Sequence, residues 1–207
     1  MLSGMESLER LRAGNRRFVA GAQDQGSASQ TRRTELVAGQ EPFAVILGCS
    51  DSRVPAEIVF DQGLGDLFVI RVAGNIIAPS LVGSVEFAVD LFGTRLVVVL
   101  GHTQCGAVKA TVDELERPSG SRSANLRAIV DRVRPSVENL LEAGITDRAA
   151  LVRQAVRANV RASANHLRHG SQIVEDLIAH DGLLVVGAEY SLETGVVDFF
   201  DGVPEGK

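Results

Sequence analysis

Apolar and polar residues recur along this chain with two periods, and the changes of period mark out its elements. Over residues 6–20, Leu8, Leu11, Phe18 and Val19 stand among charges at roughly helical spacing, which predicts an opening helix. Residues 22–31 are small and polar and read as a loop, and a short helix is expected near 34–38, so that about 5–38 forms an N-terminal helical arm. Residues 43–47 are an apolar run of strand type ending at Gly48. Pro55 suits the first turn of a helix carrying Ile58, Val59 and Phe60. A second strand is expected at 67–72. Ser80 is placed to cap a helix over 81–92, apolar on most faces and therefore expected to be buried, with Gly93 ending it. Residues 96–100 are all apolar and make the clearest buried strand. There follow a helix over 106–115, a loop at 119–123, and two long amphipathic helices, about 125–142 and 147–168, the first with a kink expected at Pro135. A shorter helix over 171–179 precedes a strand at 183–188, and a turn at Thr194–Gly195 leads to a last strand at 196–199.

Strands that alternate with helices imply a parallel sheet covered on both faces. The fold class expected is α/β: one domain over 1–207, with a mostly parallel central sheet of about five strands flanked by helices, and the N-terminal helical arm. Aromatic residues make up only 4% of the chain and Trp is absent, so the core must come from Val, Leu, Ile and Ala, which suits such a sheet. A formal charge of −5 points away from nucleic acid and from anionic membrane surfaces. No run of 18 apolar residues occurs, so no membrane span is expected. Residues 1–18 carry Glu6, Arg10, Arg12, Arg16 and Arg17 without a continuous apolar block, unlike a secretory signal, and the expected location is the cytoplasm.

In a reducing compartment the two cysteines are not expected to form a disulfide. Cys49 lies just past the first strand. Cys105 lies just past the 96–100 strand, three residues after His102. Ligands of open parallel sheets gather outside the carboxyl ends of the strands, so both thiols and the imidazole fall on the functional edge. Two thiolates and one imidazole form a soft donor set natural to zinc, leaving a fourth position for water; the plain alternative is a pair of inert buried cysteines. Asp51 follows Cys49 by two residues and Arg53 follows Asp51 by two. The carboxylate could serve as a fourth ligand, or Arg53 could hold it in a bidentate pair; a simple surface ion pair would contribute little.

The stretches CysSerAspSerArg, 49–53, and HisThrGlnCysGly, 102–106, resemble the beta class of carbonic anhydrases. The resemblance covers nearly the whole chain, through GlyAsnArgArgPhe at 14–18, PheValIleArgValAlaGlyAsn at 68–75, SerValGluPheAlaVal at 84–89 and TyrSerLeuGluThrGly at 190–195. It implies one zinc ion per chain on Cys49, His102 and Cys105, with Asp51 and Arg53 as the catalytic pair and Asp51 on the metal only in a closed form. It also implies substrate contacts from Gln40, Phe68, Phe87 and the backbone N–H of Gly106. The implied reaction is reversible hydration of carbon dioxide to bicarbonate, zinc-bound hydroxide attacking the carbon. The implied assembly is a dimer or tetramer, the N-terminal helix packing over the partner. Leu8, Leu11, Phe18 and Val19 agree with that assembly, since they need a surface to cover. Ile46 stands where some members carry a Trp of an inhibitory bicarbonate site, which points away from that regulation, and Gln40 fits the open subtype.

Other features read as structural: His166, His169 and His180 as exposed or helix-end residues, and Arg153, Arg157 and Arg161 as a solvated or subunit-facing stripe. Gly63-Leu64-Gly65 precedes a strand, unlike a nucleotide loop. Two rival functions stay open at this level: hydrolysis of carbonyl sulfide or carbon disulfide at the same zinc, and a non-catalytic zinc or redox sensor, which would have no need of Asp51 and Arg53.

Overall fold

The computed structural model describes residues 2–23, 29–117 and 123–204, so the expected loops at 22–31 and 119–123 lie partly outside the described residues. Five strands form one sheet: β1 Ala44–Cys49, β2 Leu67–Val72, β3 Leu96–His102, β4 Leu184–Tyr190 and β5 Val197–Asp201, in the order β2-β1-β3-β4-β5. β1 pairs in parallel with β2 and β3, and β3 with β4, while β5 runs antiparallel to β4. β1 and β3 are buried at every position. Their side chains divide by the strand period of two. Ala44, Ile46, Leu96, Val98 and Leu100 enter one core with Phe60; Val45, Leu47, Val97 and Val99 enter a second with Val85, Val160 and Leu167. Burial on both faces explains why these strands read as unbroken apolar runs.

The helices are α1 Gly4–Val19, α2 Gln30–Glu35, α3 Ala56–Val59, α4 Pro79–Leu91, α5 Gly106–Glu116, α6 Ala124–Glu142, α7 Arg148–His169 and α8 Gln172–His180. α1 starts with a reciprocal cap: the Ser3 hydroxyl accepts from the Glu6 N–H, and the Glu6 carboxylate accepts from the Ser3 N–H. Leu8 and Leu11 on this helix are fully buried in the first core, each contributing about 1.5–3 kcal/mol. The chain's own sheet, and not a neighbouring subunit, covers them, which corrects the expectation drawn from their apolarity. Gly14 marks the closest approach of α1 to α3, because a Cβ there would fall 1.7 Å from the Phe60 carbonyl oxygen.

α4 also departs from expectation. Pro79 opens it, since a missing N–H and a fixed φ suit the first helical position, and Ala78, not Ser80, precedes it as the cap. Val85, Ala88 and Val89 are buried, but Phe87 and Leu91 are 52% and 62% exposed, so an apolar face stands in water. α6 continues through Pro135 as one helix. Two strands run further than their apolar cores suggest, so that Cys49 and His102 are the last residues of β1 and β3. The chain leaves β1 towards β2 on one side and leaves β3 towards β4 on the other. That divergence opens a crevice at the carboxyl ends of β1 and β3.

Candidate metal centre

Cys49, His102 and Cys105 meet in this crevice, each at most 5% exposed. Cys105 sits at the N-cap of α5. One donor atom from each of the three lies within 4.8 Å of the others, and the two sulfurs are 4.0 Å apart. The His102 Nδ1–H donates to the Thr103 carbonyl at 2.9 Å, which leaves the lone pair on Nε2. That Nε2 is buried without a hydrogen-bond partner among the described residues. An orphaned buried polar atom costs about 1–3 kcal/mol unless something binds it. Asp51 Oδ2, at 3.8 Å, is too far to do so by a hydrogen bond. Two sulfurs and an unpartnered imidazole nitrogen facing one another are a donor set that fits a metal ion.

The thiols are prepared for this. Cys49 is drawn below the ordinary thiol range, first by the Cys105 S–H and also by the Gly74 N–H, which donates to its sulfur at 3.3 Å. Cys105 is pushed up, because its proton is engaged by the Cys49 sulfur and a second buried thiolate would be repelled by the first. The N–H groups of Ala107 and Val108, at the start of α5, pull the other way. A divalent cation held by both cysteines would remove the conflict by replacing the shared proton.

Gly74 can reach Cys49 because it adopts φ 74°, a conformation that favours glycine, and Asn159 holds its carbonyl at 2.8 Å. Arg71 on β2 donates to the carbonyls of Cys49 at 3.1 Å and Asp51 at 2.6 Å, pinning the loop that leaves β1. Arg53 grips Asp51 three times: Nε to Oδ1 at 2.9 Å, a terminal guanidinium nitrogen to Oδ2 at 2.7 Å, and its backbone N–H to Oδ1 at 3.0 Å. This bidentate grip holds the Asp51 carboxyl well below the usual carboxylate range.

The structure therefore brings Cys49, His102, Cys105, Asp51, Arg53 and Gly106 together. Gly106 is the first residue of α5, where backbone N–H groups have no partner inside the helix. Gln40, Phe68 and Phe87 lie elsewhere. Phe68 precedes the last residue of β2 by four positions, roughly 13 Å along a strand, and its ring packs with Phe87 and Phe92 at 6.2 and 6.0 Å between centroids. Gln40 is exposed before β1 begins, in a hollow shared with Phe92 and Phe43. His166, His169 and His180 are exposed as expected. Arg157 pairs with Glu189 and Asp198 and stacks on Phe200 at 3.7 Å, a structural use of the arginine stripe. Sequence reasoning missed the roles of Arg71 and Gly74. The signal was available, since both lie in a stretch that carries the resemblance, 68–75.

Comparison with known proteins agrees with this geometry. A family model described as carbonic anhydrase matches residues 44–197. Carbonic anhydrase 2 of Mycobacterium tuberculosis is 44% identical over 188 residues, covering 89% of this chain and 87% of the relative. The carbonic anhydrase of Mycolicibacterium smegmatis is 43% identical over 191 residues, covering 91% and 89%. Among solved structures, the beta-carbonic anhydrase CafA of Aspergillus fumigatus superposes with a TM-score of 0.75 at 28% identity, over 93% of this chain and 90% of that one. A tetrameric beta-carbonic anhydrase of Sordaria macrospora gives 0.73 at 26% identity, over 81% and 85%. With the Cys-His-Cys cluster and the Asp51–Arg53 pair in place, the chain belongs to the beta class of the carbonic anhydrase family.

Proposed function

We propose that the chain binds one zinc ion through Cys49, His102 and Cys105 and catalyses the reversible hydration of carbon dioxide to bicarbonate and a proton, in the cytoplasm, as a homodimer or homotetramer. The observation that carries the metal assignment is the buried, unpartnered Nε2 of His102 beside two thiols 4.0 Å apart. Two thiolates and a neutral imidazole favour zinc, and three protein donors leave a fourth position for water. When bound, zinc supplies a Lewis acid that eases the ionisation of water, less strongly than at a three-histidine site because the thiolates neutralise its charge.

The chain's own groups position the reaction. Arg53 keeps the Asp51 carboxylate ionised and holds it beside, but not on, the donor triad. Asp51 accepts a hydrogen bond from the attacking water and aims it. Were Arg53 to let go, Asp51, 3.8 Å from His102 Nε2, would be near enough to take the fourth position and close the site. Ile76, Val108 and Val133 share the apolar cluster that holds both cysteines, a wall suited to carbon dioxide. The N–H of Gly106 would receive the bicarbonate oxygen, as helix starts receive anions. Gln40, Phe68 and Phe87 can serve a metal centre only across a subunit contact, because within one chain they sit towards the opposite end of β1 and β2. The exposed Phe87 and Leu91 provide an apolar surface for such a contact.

Arg53→Ala and Asp51→Asn test the catalytic pair. Each should lower the hydration rate by about 100-fold or more, within the range for lost acid–base groups, while zinc content stays normal. The pH dependence follows from the sign of the Asp51 shift. A depressed carboxylate contributes stability above its unfolded pKa and loses it only as pH falls through the lower folded value. Asp51 therefore stays charged through mildly acid pH, and the acid limb of the rate profile should follow ionisation of the water, at a midpoint above that of a three-histidine site. Variants with the wild-type rate and profile would show the pair to be an ordinary ion pair.

A further inference from the structure

We infer that Glu193 is a positioning residue for the metal centre: through Thr103 and Gln104 it sets the turn that joins His102 to Cys105. The inference rests on the zinc reading of that site. Only two residues separate these ligands, so the conformation of Thr103 and Gln104 sets where the imidazole and the thiol stand relative to each other. It is a demanding conformation. Gln104 has φ 57°, in the left-handed region, which costs a residue with a Cβ about 1 kcal/mol or more. Thr103 must also turn its carbonyl back to accept from His102 Nδ1.

The residues of this turn are held largely from outside, by the segment after β4. The Glu193 carboxylate accepts from the Thr103 hydroxyl at 2.8 Å and from the Gln104 side-chain amide at 2.6 Å. The Thr103 hydroxyl oxygen in turn accepts the Leu192 N–H at 3.0 Å, and the Thr103 N–H donates to the Tyr190 carbonyl at 2.9 Å. Ser191 adds a third side-chain donor to the carboxylate at 3.1 Å. An exposed glutamate ordinarily contributes little. This one collects three donors, two of them from the residues between the ligands, and they hold it ionised, with a pKa lowered to about 2.

Glu193 is itself anchored. Asn15 on α1, 6% exposed, donates to the carbonyls of Gly195 at 2.9 Å and Val59 at 3.1 Å and accepts the Val197 N–H at 2.9 Å. The path from α1 to the metal centre thus runs from Asn15 to the 191–196 turn, from Glu193 to Thr103 and Gln104, and from the Thr103 carbonyl to His102. It gives a shared purpose to two stretches, 14–18 and 190–195, that supply no ligand. Groups that orient metal ligands from one step away typically change metal affinity by about 10–100-fold when removed.

The test compares Glu193→Ala and Glu193→Gln with wild type in three measurements: zinc affinity by competition with a chromophoric chelator, the visible absorption of the cobalt(II)-loaded protein, and the unfolding midpoint of the metal-free protein. Glu193→Ala should weaken zinc binding by at least about tenfold and shift the cobalt bands, with the metal-free midpoint little changed. Glu193→Gln, which keeps an acceptor oxygen, should recover most of both. If Glu193→Ala lowers the metal-free midpoint but leaves zinc affinity and the cobalt spectrum at wild-type values, Glu193 merely holds the β4–β5 turn and the inference is overturned. Wild-type protein that retains no zinc would overturn the zinc reading first, and this inference with it.

Discussion

At the carboxyl ends of β1 and β3, two buried thiols face an imidazole nitrogen that has no hydrogen-bond partner among the described residues, with the Asp51–Arg53 pair beside them. Towards the other end of the sheet and along α4, large apolar side chains stand in water, Phe87 and Leu91 among them. The first region gathers its candidate metal ligands within one chain. In the second, Phe87 and Leu91 are left exposed by the described residues, and Phe68 packs on Phe87 and Phe92 rather than on the candidate ligands. On the proposed reading, the reacting groups are set by short-range geometry at strand ends, whereas the substrate pocket would be completed by assembly.

Removing a ligand should break the first region outright. Cys105→Ser should lose most of the bound zinc and lower hydration by more than about 100-fold, beyond the effect of a group that only orients a ligand. Metal analysis and stopped-flow hydration on one preparation would check it, and normal zinc content would remove Cys105 from the ligand set. A charge on the exposed face sharpens the contrast from the other side. Phe87→Asp should shift the protein towards monomer in light scattering and reduce hydration by about tenfold while leaving zinc stoichiometry intact, since a lone carboxylate is strongly disfavoured at an apolar contact. An unchanged oligomer with full activity would mean that this face is not an interface.

The same division explains what could be read from the residues alone. Unbroken apolar runs at 43–47 and 96–100 announce strands buried on both faces, and the cysteines beside them announce the functional edge. The strands were nonetheless expected to end too early. Gly48 looks like a stop and the second apolar run ends at Leu100, yet the ladder runs on to Cys49, which pairs with Val72, and to His102, which pairs with Tyr190. On α1, helical spacing identifies Leu8 and Leu11 as a buried stripe but says nothing of which surface covers them. A helix apolar on most faces, such as α4, need not be buried all round when one stripe suffices to pack on the sheet. Glu193 was hardest to see, because its bonds to Thr103 and Gln104 span about ninety positions and exist only once β3 and β4 are paired.

The most direct test is a zinc titration of protein stripped of metal, following hydration of carbon dioxide as each equivalent is added. Activity should be absent at the start, rise in proportion to bound zinc, and stop rising at one ion per chain. Hydration by the metal-free protein, or zinc bound to one equivalent without any gain in rate, would contradict the assignment of Cys49, His102 and Cys105 as the catalytic metal centre.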